Sequence, residues 1–401
     1  MDVYPPAARG KHKSVCFGVV AGEVSGDILG ADLIEALKQS FPDATFVGIG
    51  GDRMIKAGMN SLFPMERLSV MGFIEPLKRL LELLNIRRFL KNYFIQNKPT
   101  VFIGIDAPDF NLSLEQALKK HGIPTVHYVS PTVWAWRKRR IHKIKKAVNR
   151  MLCLFPFESQ IYVEHNVPVT FVGHPLADAI PLDSSSDDAR RLLGLPIGKK
   201  IVALLPGSRV QELFYLATDF IQTARWLKSQ NPEIEFISPS ANEKTDKQFK
   251  EYLKAFPDVK VNCFMGNART VMAASDVILT VSGTASLEAM LVKRPTIVAY
   301  KMSAWGFAIA KRIIHIPYIA LPNLLAGKLL MKEFIQSDVN PQAMGEAILA
   351  YLDSPDLSEQ DSKVCHELHS SLRKNAGQTA ASAIKELIKE NEWQSSVVLM
   401  K

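Results

Sequence analysis

Short β-branched apolar runs alternate with amphipathic stretches along most of this chain. VCFGVV, ATFVGI, TVFIGI, PTVHYV, RMLCLF and VTFVG form a first set, and KIVALLP, IEFISP, VKVNCF, DVILTV and PTIVAY a second. The runs are short, bounded by turn residues and apolar nearly throughout, which is the pattern of strands buried on both faces. Strands of this kind separated by helical patterns predict two parallel sheets wrapped by helices, an α/β class. Between the sets, GHPLADAIPLDSSSDD at residues 173–188 breaks the periodicity with Pro, Ser and Asp, and a linker is expected there. After about residue 337 only helical patterns remain, as in NPQAMGEAILAYLD and NAGQTAASAIKELIKE. The expected divisions are therefore 1–176, 177–355, and C-terminal helices over 356–401 that cross back onto the first domain.

The length of 401 residues agrees with two domains, and 47% hydrophobic with 22% charged residues marks a globular chain. No apolar run is long enough to span a membrane, and MDVYPPAARGKHKSV lacks the apolar core of an export signal, so a cytosolic location is expected. Cys16, Cys153, Cys263 and Cys365 are far apart and without ligand spacing, so they read as reduced thiols, and no metal is expected. A formal charge of +9 points to an anionic partner: nucleic acid, an acidic membrane surface or a phosphorylated substrate.

In such folds the chemistry sits in loops that follow strands. AGEVSGDILG spaces Gly22, Gly26 and Gly30 by fours, which is not the dinucleotide fingerprint. Glu23, Ser25, Gly26 and Asp27 there are candidates for contacting sugar hydroxyls, or Ser25 or Asp27 merely caps a helix. GIDAPDFNL places Asp106 and Asp109 around Pro108, and each either caps the following helix or supplies a base. LLPGSRVQEL brings Gly207, Ser208 and Arg209 to a strand-to-helix junction, suited to a diphosphate. The alternative has Ser208 capping the helix and Arg209 pairing with Glu212. TVSGTASLEAM adds Ser282, Gly283, Thr284 and Glu288, whose carboxylate suits a ribose diol. Neither loop is a Walker A motif.

Two stretches address the anionic partner. Seven of the ten residues from Arg137 to Lys146 are Lys or Arg, beginning Arg137, Lys138, Arg139, Arg140 and interleaved with Ile141 and Ile144. Upstream, a helical pattern carries Phe73, Ile74, Leu77, Leu80, Leu81 and Leu84 along one side, with Lys78, Arg79, Arg87 and Arg88 elsewhere. A core-facing helix and an interfacial membrane helix share this pattern.

Taken in order, AGEVSGD, GIDAPDFN, HYVSPTVWAWRKRR, GHPLAD, LLPGSR, SGTASLE and LPNLLAG make the sequence resemble the lipid A disaccharide synthases, inverting glycosyltransferases of family 19 with the GT-B fold. The match spans nearly the whole chain; the extension before about Ser14 and the acidic, Ser-rich insert near Ser184 lie outside these motifs. The resemblance implies two Rossmann-like domains facing across a cleft, the first serving the acceptor and the membrane, the second the donor. It implies transfer of 2,3-diacylglucosamine from UDP-2,3-diacylglucosamine to the 6-hydroxyl of 2,3-diacylglucosamine 1-phosphate, without cofactor or metal. Asp106 aligns with the family's proposed base, leaving Asp109 a capping or positioning role. Ser208, Arg209, Ser282, Gly283, Thr284, Glu288, Asn323 and Gln336 are carried over as donor-site residues. An anionic inner-membrane surface becomes the expected partner, at its cytoplasmic face, with a homodimer possible and nucleic acid not expected. The rivals are another UDP-sugar enzyme of this architecture, such as a UDP-N-acetylglucosamine 2-epimerase, and a non-enzymatic binder of nucleic acid or membrane built on the basic run.

Overall fold

The computed structural model describes residues 15–68, 76–136, 138–314 and 316–399, with side chains described for all of these but 76–79 and 392–399. The chain divides into two compact units, Met1–Pro175 with Lys374–Lys401, and Leu176–Arg373. Phe73 and Ile74 of the expected membrane face, and Arg137 of the basic run, lie outside the described residues, as does the side chain of Leu77.

The first unit is a seven-stranded parallel sheet. Its strands are β1 (Cys16–Ala21), β2 (Thr45–Ile49), β3 (Met59–Ser61), β4 (Val101–Ile105), β5 (Thr125–Tyr128), β6 (Arg150–Cys153) and β7 (Val169–Phe171), in the order β3-β2-β1-β4-β5-β6-β7. Helices α1 (Val24–Ser40), α2 (Asp52–Lys56), α3 (Pro76–Asn97), α4 (Pro108–Lys120), α5 (Arg140–Ala147) and α6 (Glu158–Glu164) alternate with them. All five residues of β4 are buried, as its unbroken apolar sequence predicts for a central parallel strand. The register pairs Ala21 of β1 with Ile105 of β4, so the loops AGEVSGD and DAPD leave the sheet side by side.

After α7 (Pro175–Ala179) and α8 (Ser186–Leu193), the second unit repeats the plan with β8 (Ile201–Leu205), β9 (Glu235–Ser240), β10 (Val261–Met265), β11 (Val277–Val281), β12 (Thr296–Tyr300) and β13 (Lys332–Ile335), ordered β10-β9-β8-β11-β12-β13. Its helices are α9 (Val210–Gln230), α10 (Glu243–Leu253), α11 (Ala268–Ala274), α12 (Thr284–Leu291), α13 (Ala304–Ile313), α14 (Leu321–Ala326), α15 (Pro341–Asp353) and α16 (Pro355–Leu372). Thr280 of β11 pairs with Leu205 of β8, which sets the GSR and SGT loops next to each other. Leu204, Leu279 and Ile297 from the sheet pack with Phe220 and Leu216 of α9 and Ile348 of α15 in one buried cluster.

Eleven strands coincide with the apolar runs read from the sequence. The strands β3 and β13 were not among them: both are short, lie at sheet edges, and carry mixed polar sequences, MNS and KEFI. The expected block of C-terminal helices is also split. α16 stays with the second unit, where Asp361 accepts a 2.6 Å hydrogen bond from the Tyr351 hydroxyl. Only α17 (Ala376–Leu399) belongs to the first, against α1, where a side chain at Gly377 would strike the Asp32 carboxylate at 2.4 Å. Arg150 at the start of β6 fastens α17 further through Glu386 and Glu390, at 3.1 and 2.9 Å.

Candidate functional site

In the second unit, the loops after β8, β9, β10 and β11 surround a cavity of about 600 Å³. Ser208, Arg209, Ser282, Gly283, Thr284 and Glu288 all line it, so six of the eight expected donor residues converge on one space, with Gly207 beside them. The arrangement at its β8 side is set by Glu212. The main-chain N–H groups of Ser208 and Arg209 donate to Glu212 Oε2 at 2.8 and 3.2 Å, and Arg209 Nη1 donates to Oε1 at 3.2 Å. Arg209, rather than Ser208, is the N-cap of α9. Gly207 is required for this packing: its φ is +133°, and a Cβ there would lie 2.4 Å from that of Glu212. Two free-standing amides at a helix start form an anion cradle, and a carboxylate of the chain itself occupies it. The Arg209 side chain is 82% exposed, so its guanidinium has freedom to swing to a larger anion.

On the β11 side, Ser282 Oγ donates to Ile319 O at 2.9 Å, and Ser286 Oγ to Gly283 O at 2.7 Å, which pins the SGT turn at the start of α12. Glu288 sits one turn into α12 with Oε1 accepting from Arg269 Nε at 2.8 Å. The lining also includes Ser240, Gly266 and Asn267, which the sequence reading passed over. The signal was present in the Gly266-Asn267 pair, both at positive φ, a left-handed turn after β10.

Asn323 and Gln336 do not line this cavity. Asn323 is fully buried; its amide nitrogen donates to Met331 O and Glu333 Oε1, each at 2.8 Å, and its oxygen accepts from Leu330 N and Met331 N. Every polar atom is thus spent on holding the turn before β13, and none remains for a ligand. Gln336 bonds both the N–H and the carbonyl of Met302, at 2.7 and 3.1 Å. Asn323 therefore braces the turn before β13, a correction to its placement as a donor contact, while Gln336 holds Met302 outside the lining of this cavity.

In the first unit, Asp106 directly follows β4 at φ +52°, and Ala107 comes next at +43°. Val129, at the end of the neighbouring β5, has φ +81°, which is severe for a β-branched residue. Left-handed non-glycine residues cost roughly 1–3 kcal/mol each and cluster where side chains must be aimed. The Asp106 N–H donates to Tyr128 O at 2.9 Å and its carbonyl accepts from Asn111 Nδ2 at 2.8 Å. Its half-buried carboxylate accepts no hydrogen bond from the described residues. The N-cap of α4 is Ala107, without a side-chain cap, so Asp106 does not serve as one. Asp109, in the first turn of α4, pairs with Arg140. Gly22 lets the neighbouring loop close on this segment, since a Cβ there would meet Ala107 Cβ at 3.0 Å.

Of the other AGEVSGD residues, Glu23 and Ser25 are exposed at the start of α1. Gly26 is buried where α1 meets β1 and β4, 3.3 Å from Ala21 Cβ by the same measure, so it serves close packing. Asp27 is buried too, and its carboxylate accepts from Arg53 N and Met54 N at 3.1 and 3.0 Å. Asp27 therefore caps α2 from a neighbouring helix, a correction to the expectation that it meets a sugar.

The basic run folds as α5, with Ile141, Ile144 and Ala147 buried and Lys138 and Arg139 exposed before it. Arg140 and Lys143 border a shallow concavity with Lys138, Arg139 and Asp109. On α3 the apolar residues divide between two faces. Ile86, Leu90 and Phe94 are buried in the core, whereas Leu80, Leu81 and Leu84 are 52%, 57% and 41% exposed. No described helix is long and apolar enough to cross a membrane.

A family profile described as Lipid-A-disaccharide synthetase (LpxB) matches residues 17–387. The chain is 50% identical over 375 residues to the lipid-A-disaccharide synthase of Cellvibrio japonicus, covering 94% of this chain and 98% of that one. It is 48% identical over 372 residues to that of Saccharophagus degradans, covering 92% and 96%. Among solved structures, S. aureus MnaA with UDP superposes with a TM-score of 0.60 at 14% identity, over 94% of this chain and 96% of the other, which is a likeness of fold, the GT-B architecture.

Proposed function

The chain belongs to the lipid-A-disaccharide synthetase family of glycosyltransferases, and from that premise we propose that it joins two acylated glucosamines through the residues described above. The donor is UDP-2,3-diacylglucosamine and the acceptor is the 6-hydroxyl of 2,3-diacylglucosamine 1-phosphate. The acceptor oxygen forms a bond to the anomeric carbon as the bond from that carbon to the diphosphate breaks on the opposite face, giving a β-1,6 linkage and UDP. Asp106 takes the hydroxyl proton, a role suited to a half-buried carboxylate at a strand end that accepts no hydrogen bond among the described residues. The family match over residues 17–387 carries this reading.

The diphosphate is held at the start of α9. There the Ser208 and Arg209 amides already hold a carboxylate, and a diphosphate replaces Glu212 in that cradle. Arg209 turns from Glu212 to the phosphates and stabilises the charge that gathers on them as UDP leaves. The SGT turn lends the start of α12, and Glu288 takes the ribose hydroxyls. Both substrates carry acyl chains, so the protein works at the cytoplasmic face of the inner membrane, with Leu80, Leu81 and Leu84 reaching toward lipid and Lys138 to Arg140 toward anionic headgroups.

Purified protein given acylated UDP-glucosamine and the acylated acceptor should release UDP and form the disaccharide, and non-acylated UDP-glucosamine should not substitute. UDP release independent of acylation would favour a soluble sugar-nucleotide enzyme instead.

A further inference from the structure

The helix α13 of the second unit has no buried residue along its ten positions. A helix of that length is marginal in water by itself, and in proteins such helices are stabilised by covering an apolar face. Trp305, Ile309 and Ile313 recur every four residues on one side of α13 and are 84%, 52% and 49% exposed. Leu329, in the turn before β13, is also exposed. Along the chain, the segment that carries this ridge has charge of one sign, and the carboxylate that approaches its start, Asp219, is paired with Lys301 at 2.6 Å. No Asp or Glu occurs between Glu288 and Glu333, whereas Lys311 and Arg312 fill the last turn of α13 and Lys328 is exposed beside Leu329.

We propose that α13 is an interfacial helix which lies in the headgroup region of an anionic phospholipid bilayer, giving the second unit its own membrane contact. An apolar ridge bearing a tryptophan, with cations and no anions along it, matches the boundary between acyl chains and anionic headgroups. A second copy of this chain is a poorer occupant, because a two-fold interface would set Lys311 and Arg312 against their own kind. The inference rests on the reading that the substrates are membrane-borne, but it concerns a surface outside the cavity and outside α3.

The test uses the full chain and vesicles of phosphatidylcholine with or without phosphatidylglycerol. Wild type should sediment with phosphatidylglycerol vesicles, and its fluorescence should be quenched by brominated acyl chains, with that quenching reduced in Trp305→Phe. The triple variant Trp305→Ser/Ile309→Ser/Ile313→Ser should bind these vesicles about tenfold more weakly or worse, with an unchanged melting temperature because no buried side chain is altered. Lys311→Gln/Arg312→Gln should reduce the preference for phosphatidylglycerol. Vesicle binding of the triple variant equal to wild type overturns the proposal, as does a change from dimer to monomer with vesicle binding intact. UDP release from the acylated donor in detergent micelles, where no bilayer is present, reports separately on the reaction. Its absence together with α13-dependent vesicle binding would sink the proposed reaction and leave the docking helix standing.

Discussion

The side-chain amide of Asn111 donates to the main-chain carbonyl of Asp106 at 2.8 Å, from one turn along the helix that Asp106 precedes. The same nitrogen reaches Ile105 O and Val20 O at 3.3 Å, so one buried amide ties the ends of β1 and β4 to the left-handed turn. Asp106→Asn keeps this frame, since the bond uses the main chain. Its activity should nevertheless fall by about 100-fold or more, the usual loss for a general base, while UDP affinity by calorimetry stays as in wild type. Near-normal turnover would remove Asp106 from the proton transfer.

Asn111→Ala leaves the Asp106 carbonyl and two others short of a donor. Unmet buried polar groups cost about 1–3 kcal/mol, so the melting temperature should drop. The diagnostic readout is kinetic: kcat should fall several-fold beyond any loss of folded protein, with the KM for donor nearly constant, because Asn111 steadies the base and touches no donor group. A proportional loss of active protein at unchanged kcat per folded molecule would make Asn111 structural only.

Glu212 and the diphosphate compete for the Ser208 and Arg209 amides on the proposed reading. Arg209→Ala should weaken UDP binding and slow transfer together, and Arg209→Lys should recover part of both, since a point charge lacks the planar fork. Glu212→Ala should act oppositely on affinity, tightening UDP by roughly threefold or more by removing an occupied state of the cradle, while thermal stability falls as the amides at the start of α9 lose the carboxylate they donate to. A UDP affinity in Glu212→Ala as weak as in Arg209→Ala would make Glu212 a support of the site rather than a competitor.

Glu158 supplies a pH test of the first unit. Burial raises its pKa from the ordinary 4.5 to about 7, even though its carboxylate accepts the Phe155 N–H. The folded state therefore keeps a proton that the unfolded chain has lost, and stability declines as pH rises from about 4.5 to about 7, then levels off. The displacement amounts to roughly 3 kcal/mol, an order-of-magnitude figure. Glu158→Gln should flatten that decline and raise the melting temperature at pH 8 relative to wild type, with little difference at pH 4.5. An equal effect at both pH values would mean that Glu158 is not the titrating group.

The strands and the strand-end loops were legible because buried parallel strands must be apolar on both faces, and a loop after such a strand stands out by its Gly, Ser and Asp. The strands β3 and β13 were not, since MNS and KEFI are short and mix polar residues into the pattern, whereas the other two edge strands, β7 and β10, belong to recognisable runs. Within the loops, residue type announced polarity but not its recipient. Asp27 is written like a ligand yet spends both oxygens on α2, and Asn323 spends its whole amide on the turn before β13. Asn111 was invisible for the complementary reason: its role lies in a main-chain carbonyl that any residue at position 106 would present. The α13 ridge escaped because Trp, Ile and Ile at helical spacing ordinarily mean core, and only the exposed structure separates the two meanings.

The same ambiguity on α3 can be resolved within one helix. Leu80, Leu81 and Leu84 are exposed, while Leu90, farther along, is fully buried against the sheet. Replacing the three exposed leucines with Ser removes apolar surface that costs solubility when bare, and deletes no core packing. The triple variant should be more soluble, bind phosphatidylglycerol vesicles more weakly, and melt at or above the wild-type temperature. Leu90→Ala provides the contrast: it opens a cavity worth about 2–5 kcal/mol, so it should melt well below wild type while binding vesicles normally when folded. The opposite pairing, a triple variant that unfolds early yet keeps its vesicle affinity, would return these leucines to the core and withdraw the membrane role of α3.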